Sequence, residues 1–198
     1  MKLKIYLRDT NNEIVHEWER IFSACSDVFI SCGNIFNIKD DAIISPGNSF
    51  GFMDGGIDRY YSEYFGWDLQ KQLQNKIRNE FFGELPVGMA TIIETGDTTI
   101  KYLISCPTMR VPEDVSKTAN AYLAFRAGLI GIIKFNQSSD KDKISSVLCP
   151  GLGTLTGRIT PENCAIQMKY AYDSIINKNI TFPNDLLAAE RIHLDLIR

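Results

Sequence analysis

The sequence predicts an α/β protein with parallel strands at its centre, and two stretches carry that prediction. In the first, Asp41 to Asp58, the apolar run Ala42, Ile43, Ile44 suits a strand covered on both faces, and Pro46 and Gly47 end it. A glycine-rich loop with Asn48, Gly51, Gly55 and Gly56 follows, ahead of Asp58 and a helix through Arg59, Tyr60, Tyr61 and Tyr64. The second stretch repeats the layout. Val147, Leu148 and Cys149 run through Pro150 and Gly151 into a loop that ends at Gly157, and a helix begins near Thr160, with Pro161 in its first turn and Glu162 close behind. Each copy brings backbone N–H groups and a positive helix end to one point, which suits an anion and most often a phosphate. If the two strands are parallel neighbours, both loops open on the sheet edge where open α/β sheets bind ligands, and together they can grip a diphosphate.

The other elements follow in order. Met1 to Arg8 alternates Lys with Leu, Ile and Tyr and reads as a first strand. Thr10, Asn11 and Asn12 then lead into a helix from Glu13 to about Phe22, with Ile14, Trp18 and Ile21 or Phe22 at helical spacing, so Trp18 is assigned to the core. Asp27 to Ser31 is a second strand ended by Gly33. Trp67 to Phe82 places Leu69, Leu73, Ile77 and Phe81 at four-residue steps, an amphipathic helix whose Lys71, Lys76 and Arg78 form a solvated face. Met89 to Glu94 and Ile100 to Cys106 are strands joined by a turn at Thr95, Gly96 and Asp97. Pro107 to Pro112 is a loop beside the ligand edge. A long apolar helix is expected from Asp114 to about Phe135, a polar connection from Ser138 to Lys143, a helix from Thr160 to Asn177, and a short last helix after Pro183 and Asn184 that ends at Arg198.

Composition sets the outer bounds. A chain of 198 residues, 44% of them hydrophobic, is read as one domain over residues 1–198 with a sizeable core. The net charge of −3 disfavours nucleic acid as a partner held by bulk electrostatics. No apolar run is long enough to predict a membrane span, and the first residues lack the long apolar segment of a secretory signal. The five cysteines, Cys25, Cys32, Cys106, Cys149 and Cys164, form no CxxC pair. Cys32, Cys106 and Cys149 end apolar runs as small core residues, so a reducing cytoplasm without disulfides is the expectation. With His16 and His193 as the only histidines, neither a zinc site nor a cysteine–histidine nucleophile is favoured.

Residues Asp41 to Asp58 resemble the macro domain signature, in which D-A-I-V-N-x-A-N precedes a glycine-rich loop, a small aliphatic residue and often Asp. Asn48 matches the second Asn of that motif, Gly55, Gly56 and Ile57 match the end of the loop, and Asp58 falls where hydrolytic members carry Asp. Gly33, Asn34 and Ile35 look like the family's G-D-I-T, and Gly151 to Gly157 looks like its second phosphate loop. The following helix, with Pro161, Glu162, Ala165, Gln167 and Met168, has the family's look as well. The resemblance implies a three-layer α/β/α sandwich around a mixed, largely parallel sheet. It also implies ADP-ribose as ligand or product, with no cofactor and no metal, and an ADP-ribosylated protein as partner.

The site implied by the resemblance has amides of Gly55, Gly56 and Ile57 on one phosphate and amides of Gly153, Thr154 and Leu155 closing on the other, with Gly151 and Leu152 of the same loop also among the ligand-binding residues. Asn34 and Ile35 meet the adenine, although Asn34 stands where the family has an Asp that accepts a hydrogen bond from the adenine amino group. Its side-chain oxygen keeps that ability without the charge, which weakens the contact or tunes it to another base. Asn48 bonds the distal ribose, and Asp58 acts on a water aimed at the anomeric carbon of that ribose. Each of these polar residues has a simpler reading too, Asn34 and Asn48 as turn formers and Asp58 as a helix cap. Asp54 stands where active relatives have glycine, and Leu155 and Thr156 where relatives place an aromatic. The first expectation is hydrolysis of ADP-ribosyl or acyl esters of ADP-ribose. The alternatives are a non-catalytic reader and a phosphatase of ADP-ribose 1''-phosphate.

Overall fold

A computed structural model describes residues 3–138 and 142–197. Among these residues, six strands form one sheet: β1 (Lys4–Asp9), β2 (Val28–Cys32), β3 (Ala42–Ser45), β4 (Thr91–Glu94), β5 (Tyr102–Ser105) and β6 (Ser146–Cys149). Their order across the sheet is β2-β1-β6-β3-β5-β4, and every pairing is parallel except that of β4 with β5. The helices are α1 (Asn12–Ile21), α2 (Gly56–Phe65), α3 (Asp68–Glu80), α4 (Asn120–Ser138), α5 (Pro161–Ile175) and α6 (Leu186–Leu196).

The alternation of side chains along each strand divides the core in two. Ile5, Leu7, Ala42, Ile44, Tyr102, Ile104, Val147 and Cys149 pack on one face with α1, α4 and α5. The intervening Ile43, Leu103 and Leu148 pack on the other with Tyr61 of α2 and with Leu69, Leu73 and Ile77 of α3. This is the three-layer α/β/α arrangement around a mixed, largely parallel sheet. Trp18 is fully buried, as its helical spacing predicts.

Residues at the opposite edge align the two strands that carry the glycine loops. Asp41 Oδ2 accepts hydrogen bonds from Ser145 N (2.7 Å), Ser145 Oγ (2.5 Å) and Ser146 N (3.1 Å), which ties the start of β3 to the start of β6. Burial would raise the Asp41 carboxyl, but these donors hold it below its ordinary value. With Ala42 opposite Val147 and Ile43 opposite Leu148, the two loops leave the sheet side by side.

Two expectations change, and one element is new. Residues 114–119 do not join α4, which starts at Asn120. Their short polar side chains bond the local backbone instead: Asp114 Oδ1 accepts from Ser116 N (2.9 Å), Thr118 Oγ1 donates to the Val115 carbonyl (2.7 Å) and accepts from Asn120 N (3.2 Å). Cys32 is exposed at the sheet edge rather than in the core, because β2 is an outer strand. Ile35–Asn37 forms a turn of 3₁₀ helix that no sequence pattern indicated. The expected connection from Ser138 to Lys143 lies partly outside the described residues, as do Met1 and Arg198.

Candidate functional site

The carboxyl ends of β2, β1, β6, β3 and β5 and the loops after them enclose a cleft of about 910 Å³, within the range of about 300–1,000 Å³ usual for small-molecule sites. Its first wall is the loop from β3 to α2, pinned along its length. The Pro46 carbonyl accepts from Thr108 Oγ1 (2.8 Å), Ser49 N donates to the Arg110 carbonyl (3.1 Å), and Met53 N donates to Gln70 Oε1 (2.7 Å). Gly51 has φ +68°, and a Cβ there would lie 2.9 Å from Ile77 Cδ1, so both the backbone and the space demand glycine. The loop ends at Gly55, the cap of α2, which has no side chain to bond the first turn. Among the described residues, nothing in the protein accepts from the N–H groups of Gly55, Gly56 and Ile57, the donors a helix start leaves open.

The opposite wall is the loop from β6 to α5. The Gly153 carbonyl accepts from Ile159 N (3.0 Å) and the Gly157 carbonyl from Val115 N (2.9 Å). A Cβ at Gly157 would come within 2.6 Å of Val115 Cγ2 and 2.7 Å of the Gly153 carbonyl, so the loop is closed tightly on the segment before α4. Gly153, Thr154 and Leu155 line the cleft, and their N–H groups bond no acceptor among the described residues. Of the other two residues expected at the ligand, Gly151 lines the cleft and Leu152 does not. Gly151 N donates to Asp9 Oδ2 (3.0 Å), and Leu152 N is within 3.3 Å of the Cys164 sulfur, while the Leu152 side chain is fully buried. Their amides serve the fold.

Asp58, in the first turn of α2, sits on the cleft floor and is 4% exposed. Its Oδ1 accepts from Ser45 Oγ (2.6 Å), and its Oδ2 lies so close to Gly47 that a Cβ on that glycine would stand 2.6 Å away. Burial pushes the carboxyl up from 3.8 to about 7, against the smaller opposing effect of the Ser45 hydroxyl. No cation among the described residues offsets this. The group therefore ionises around neutral pH, the condition a general base requires.

Asn48 and Asn34 also line the cleft, but both side chains are committed locally. Asn48 Oδ1 accepts from Phe50 N (3.1 Å) and Phe52 N (3.3 Å), and its Nδ2 donates to the Phe52 carbonyl (2.9 Å). The Asn48 oxygen and one hydrogen of its Nδ2 are thus bonded within its own loop. Asn34 Oδ1 accepts from Phe36 N (2.9 Å), capping the 3₁₀ turn, so the expected adenine acceptor already holds a backbone donor. Ile35 is buried beneath it with its N–H unbonded among the described residues. Asp54 is exposed at the cleft rim and Leu155 stands 74% exposed, while Thr156 lines the second loop.

Several lining residues were not anticipated. Arg8 and Asp9 end β1, and no sequence signal placed that strand between β2 and β6 beside the two loops. Tyr60, Glu63 and Tyr64 come from the outer side of α2, and Phe50 and Phe52 from the first loop, where no spacing marks them. Met109, Val111 and Pro112 come from the loop expected beside the ligand edge. Among the described residues there is no cluster of three His, Cys, Asp or Glu side chains fit to hold a metal. Burial pushes the Cys164 thiol up to about 12 and raises Cys106 and Cys149, and none of the three lines the cleft.

Residues 44–168 match the Macro domain family model. A sequence comparison with curated proteins gives no match. Among solved structures, the macrodomain of Mycobacterium tuberculosis DarG is similar with a TM-score of 0.61 at 20% identity, covering 74% of this chain and 90% of that one. The macrodomain of Thermus aquaticus DarG gives 0.60 at 15% identity over 86% and 92%. A mutant Oceanobacillus iheyensis macrodomain with ADPR gives 0.60 at 18% identity over 75% and 77%. These likenesses concern the fold. With more than half of its length matched by the family model and a three-layer fold shared with those structures, the chain belongs to the macro domain family.

Proposed function

We propose that the cleft binds ADP-ribose through its diphosphate and that the protein hydrolyses ADP-ribosyl esters, releasing ADP-ribose from acidic side chains or from O-acyl-ADP-ribose. The observation that carries this reading is the position of Asp58 on the floor of the cleft, between two loops whose amides are open. The amides of Gly55, Gly56 and Ile57 hold one phosphate, and those of Gly153, Thr154 and Leu155 hold the other. The distal ribose then lies over Gly47 and Asp58.

In the hydrolytic step, the Asp58 carboxylate takes a proton from water as the water oxygen bonds the anomeric carbon. The bond from that carbon to the ester oxygen breaks, and the acyl group leaves as a carboxylate. Ser45 keeps one Asp58 oxygen fixed, which leaves Oδ2 for the water. A base of this kind contributes about a hundredfold to ten-thousandfold. A second reading, a non-catalytic reader of ADP-ribose, is favoured by Asn48, whose amide is held by its own loop.

Calorimetry and turnover on an ADP-ribosylated protein, with wild type and Asp58→Asn, test these readings. The expected result is binding of ADP-ribose by both proteins and a loss of at least about a hundredfold in release by the variant. Binding without release by wild type would establish the reader, and absence of binding would overturn both.

A further inference from the structure

A strip of exposed apolar side chains lies on the ligand edge beyond Asp58. β5 ends at Ser105 on that edge, and β4, antiparallel to it with Thr91 opposite Ser105, begins there. The loop after β5 and the segment before β4 are both tied to the first glycine loop: Ser49 N donates to the Arg110 carbonyl (3.1 Å), and Leu85 N donates to the Ser49 carbonyl (2.8 Å). Glu84 holds the Arg110 guanidinium with two hydrogen bonds (2.7 and 3.1 Å), and the Phe50 ring faces that guanidinium with its centroid 5.1 Å away. On this frame Phe52, Met89 and Val111 are each about half exposed, and Phe82 is 97% exposed.

Phe82 is in local conflict with its position. It follows α3 with φ +54°, and the next N–H, that of Gly83, closes the helix on the Ile77 carbonyl (3.2 Å). This is the helix end that favours glycine at position 82, yet the chain places an aromatic ring there and gives it to water. Such conflicts between a residue and its backbone gather at functional surfaces. The charges on this rim are mostly carboxylates. Asp54 and Glu113 are exposed, while Arg110 and Arg158 are paired with Glu84 and Asp114. The sheet order gives the direction of the ligand, a step that rests on the proposed function. With the diphosphate between the loops after β3 and β6 and the ribose over Gly47 and Asp58, the acyl side of the ester faces away from β6, toward β5 and β4, where the strip stands.

We infer that this strip seats the polypeptide that carries ADP-ribose, so that the ligand class is an ADP-ribosylated protein, with apolar and basic residues beside the modified acidic side chain, rather than a small acyl ester of ADP-ribose. The apolar neighbours cover Phe52, Phe82 and Val111, and the basic ones meet Asp54 and Glu113.

The test is calorimetry with ADP-ribose and with a peptide of Leu, Val and Lys around one glutamine that carries ADP-ribose on its amide nitrogen, a linkage that replaces the ester oxygen and stays intact during the titration. Wild type is expected to bind the peptide about tenfold more tightly than ADP-ribose, the gain from covering side chains of this size. Phe82→Gly is expected to lose most of that gain, to bind ADP-ribose as wild type does, and to melt no lower than wild type because glycine suits φ +54°. Equal affinity of wild type for peptide and ADP-ribose, or an unchanged peptide affinity in Phe82→Gly, would overturn the seat and leave the diphosphate site standing. Tighter binding of the same peptide with Glu in place of Lys would overturn the basic preference. Sedimentation of wild type as a dimer that Phe82→Gly abolishes would give the strip to a second copy and overturn the seat. Binding of neither ligand would overturn the proposed function with it.

Discussion

Asp58 is a carboxyl group withdrawn from water without a counter-charge among the described residues, and its chemistry stems from that. In the folded protein it ionises near 7, in the unfolded chain near its ordinary 3.8. Between these values the folded state binds more protons, so the stabilisation from the protonated carboxyl is complete below pH 4 and is lost as pH rises through 7. The proposed catalysis by the carboxylate runs the other way. Turnover is expected to rise through pH 7 and level off above it, while thermal stability of wild type falls over pH 4 to 7 relative to Asp58→Asn, by a difference on the order of 4 kcal/mol. Parallel pH profiles of turnover and melting check this, and a wild-type turnover profile flat across pH 7 would remove Asp58 as the base. The position of Asp58 was legible in the sequence because the loop motif reaches it without a gap. Its partner Ser45 was not, since a serine at a strand end gives no sign of where its hydroxyl points. Asn48 and Asn34 show the same limit from the other side: their side chains suit a ligand and a turn equally, and the sequence gives no sign that both bond their own loops.

At the scale of elements, Gln167 joins helices that sequence reading leaves separate. Fully buried on α5, it donates to the Thr118 carbonyl just before α4 and to the Leu196 carbonyl at the end of α6 (both 2.8 Å), and it accepts from Tyr122 N (3.0 Å). Gln167→Ala would leave three backbone groups without partners, at about 1–3 kcal/mol each where water cannot reach them. Even at the lower figure, about 3 kcal/mol in all, a fall in melting temperature of about 6–12 °C is expected for a domain of this size, with ADP-ribose affinity at low temperature little changed. A melting temperature equal to wild type would show that the linkage contributes nothing. Helix existence was well signalled by periodicity, as in α1 and α3, whose apolar faces became the buried ones. The start of α4 was not, because Asp114, Ser116 and Thr118 offer the backbone local partners that compete with helix, and an apolar count does not register them.

The whole molecule brings together two loops about a hundred residues apart in sequence. Their adjacency depends on β3 and β6 being parallel neighbours, which the repeated strand-loop-helix pattern made a condition of the site and which the sheet order satisfies. The position of β1 between β2 and β6 was not legible, and with it went the place of Arg8 and Asp9 in the cleft. Charge at this scale does little for binding. A chain of net charge −3 repels a diphosphate at long range, so the proposed binding draws on the two sets of backbone dipoles within the cleft. An NMR titration of the ¹⁵N-labelled protein with ADP-ribose tests that claim most directly. The amide signals of Gly55, Gly56, Ile57, Gly153, Thr154 and Leu155 are expected to shift together and saturate at one equivalent, while those of Gly151 and Leu152, already bonded to Asp9 and Cys164, move less. Shifts confined to one loop, or to residues away from the cleft, would contradict a diphosphate held between the two.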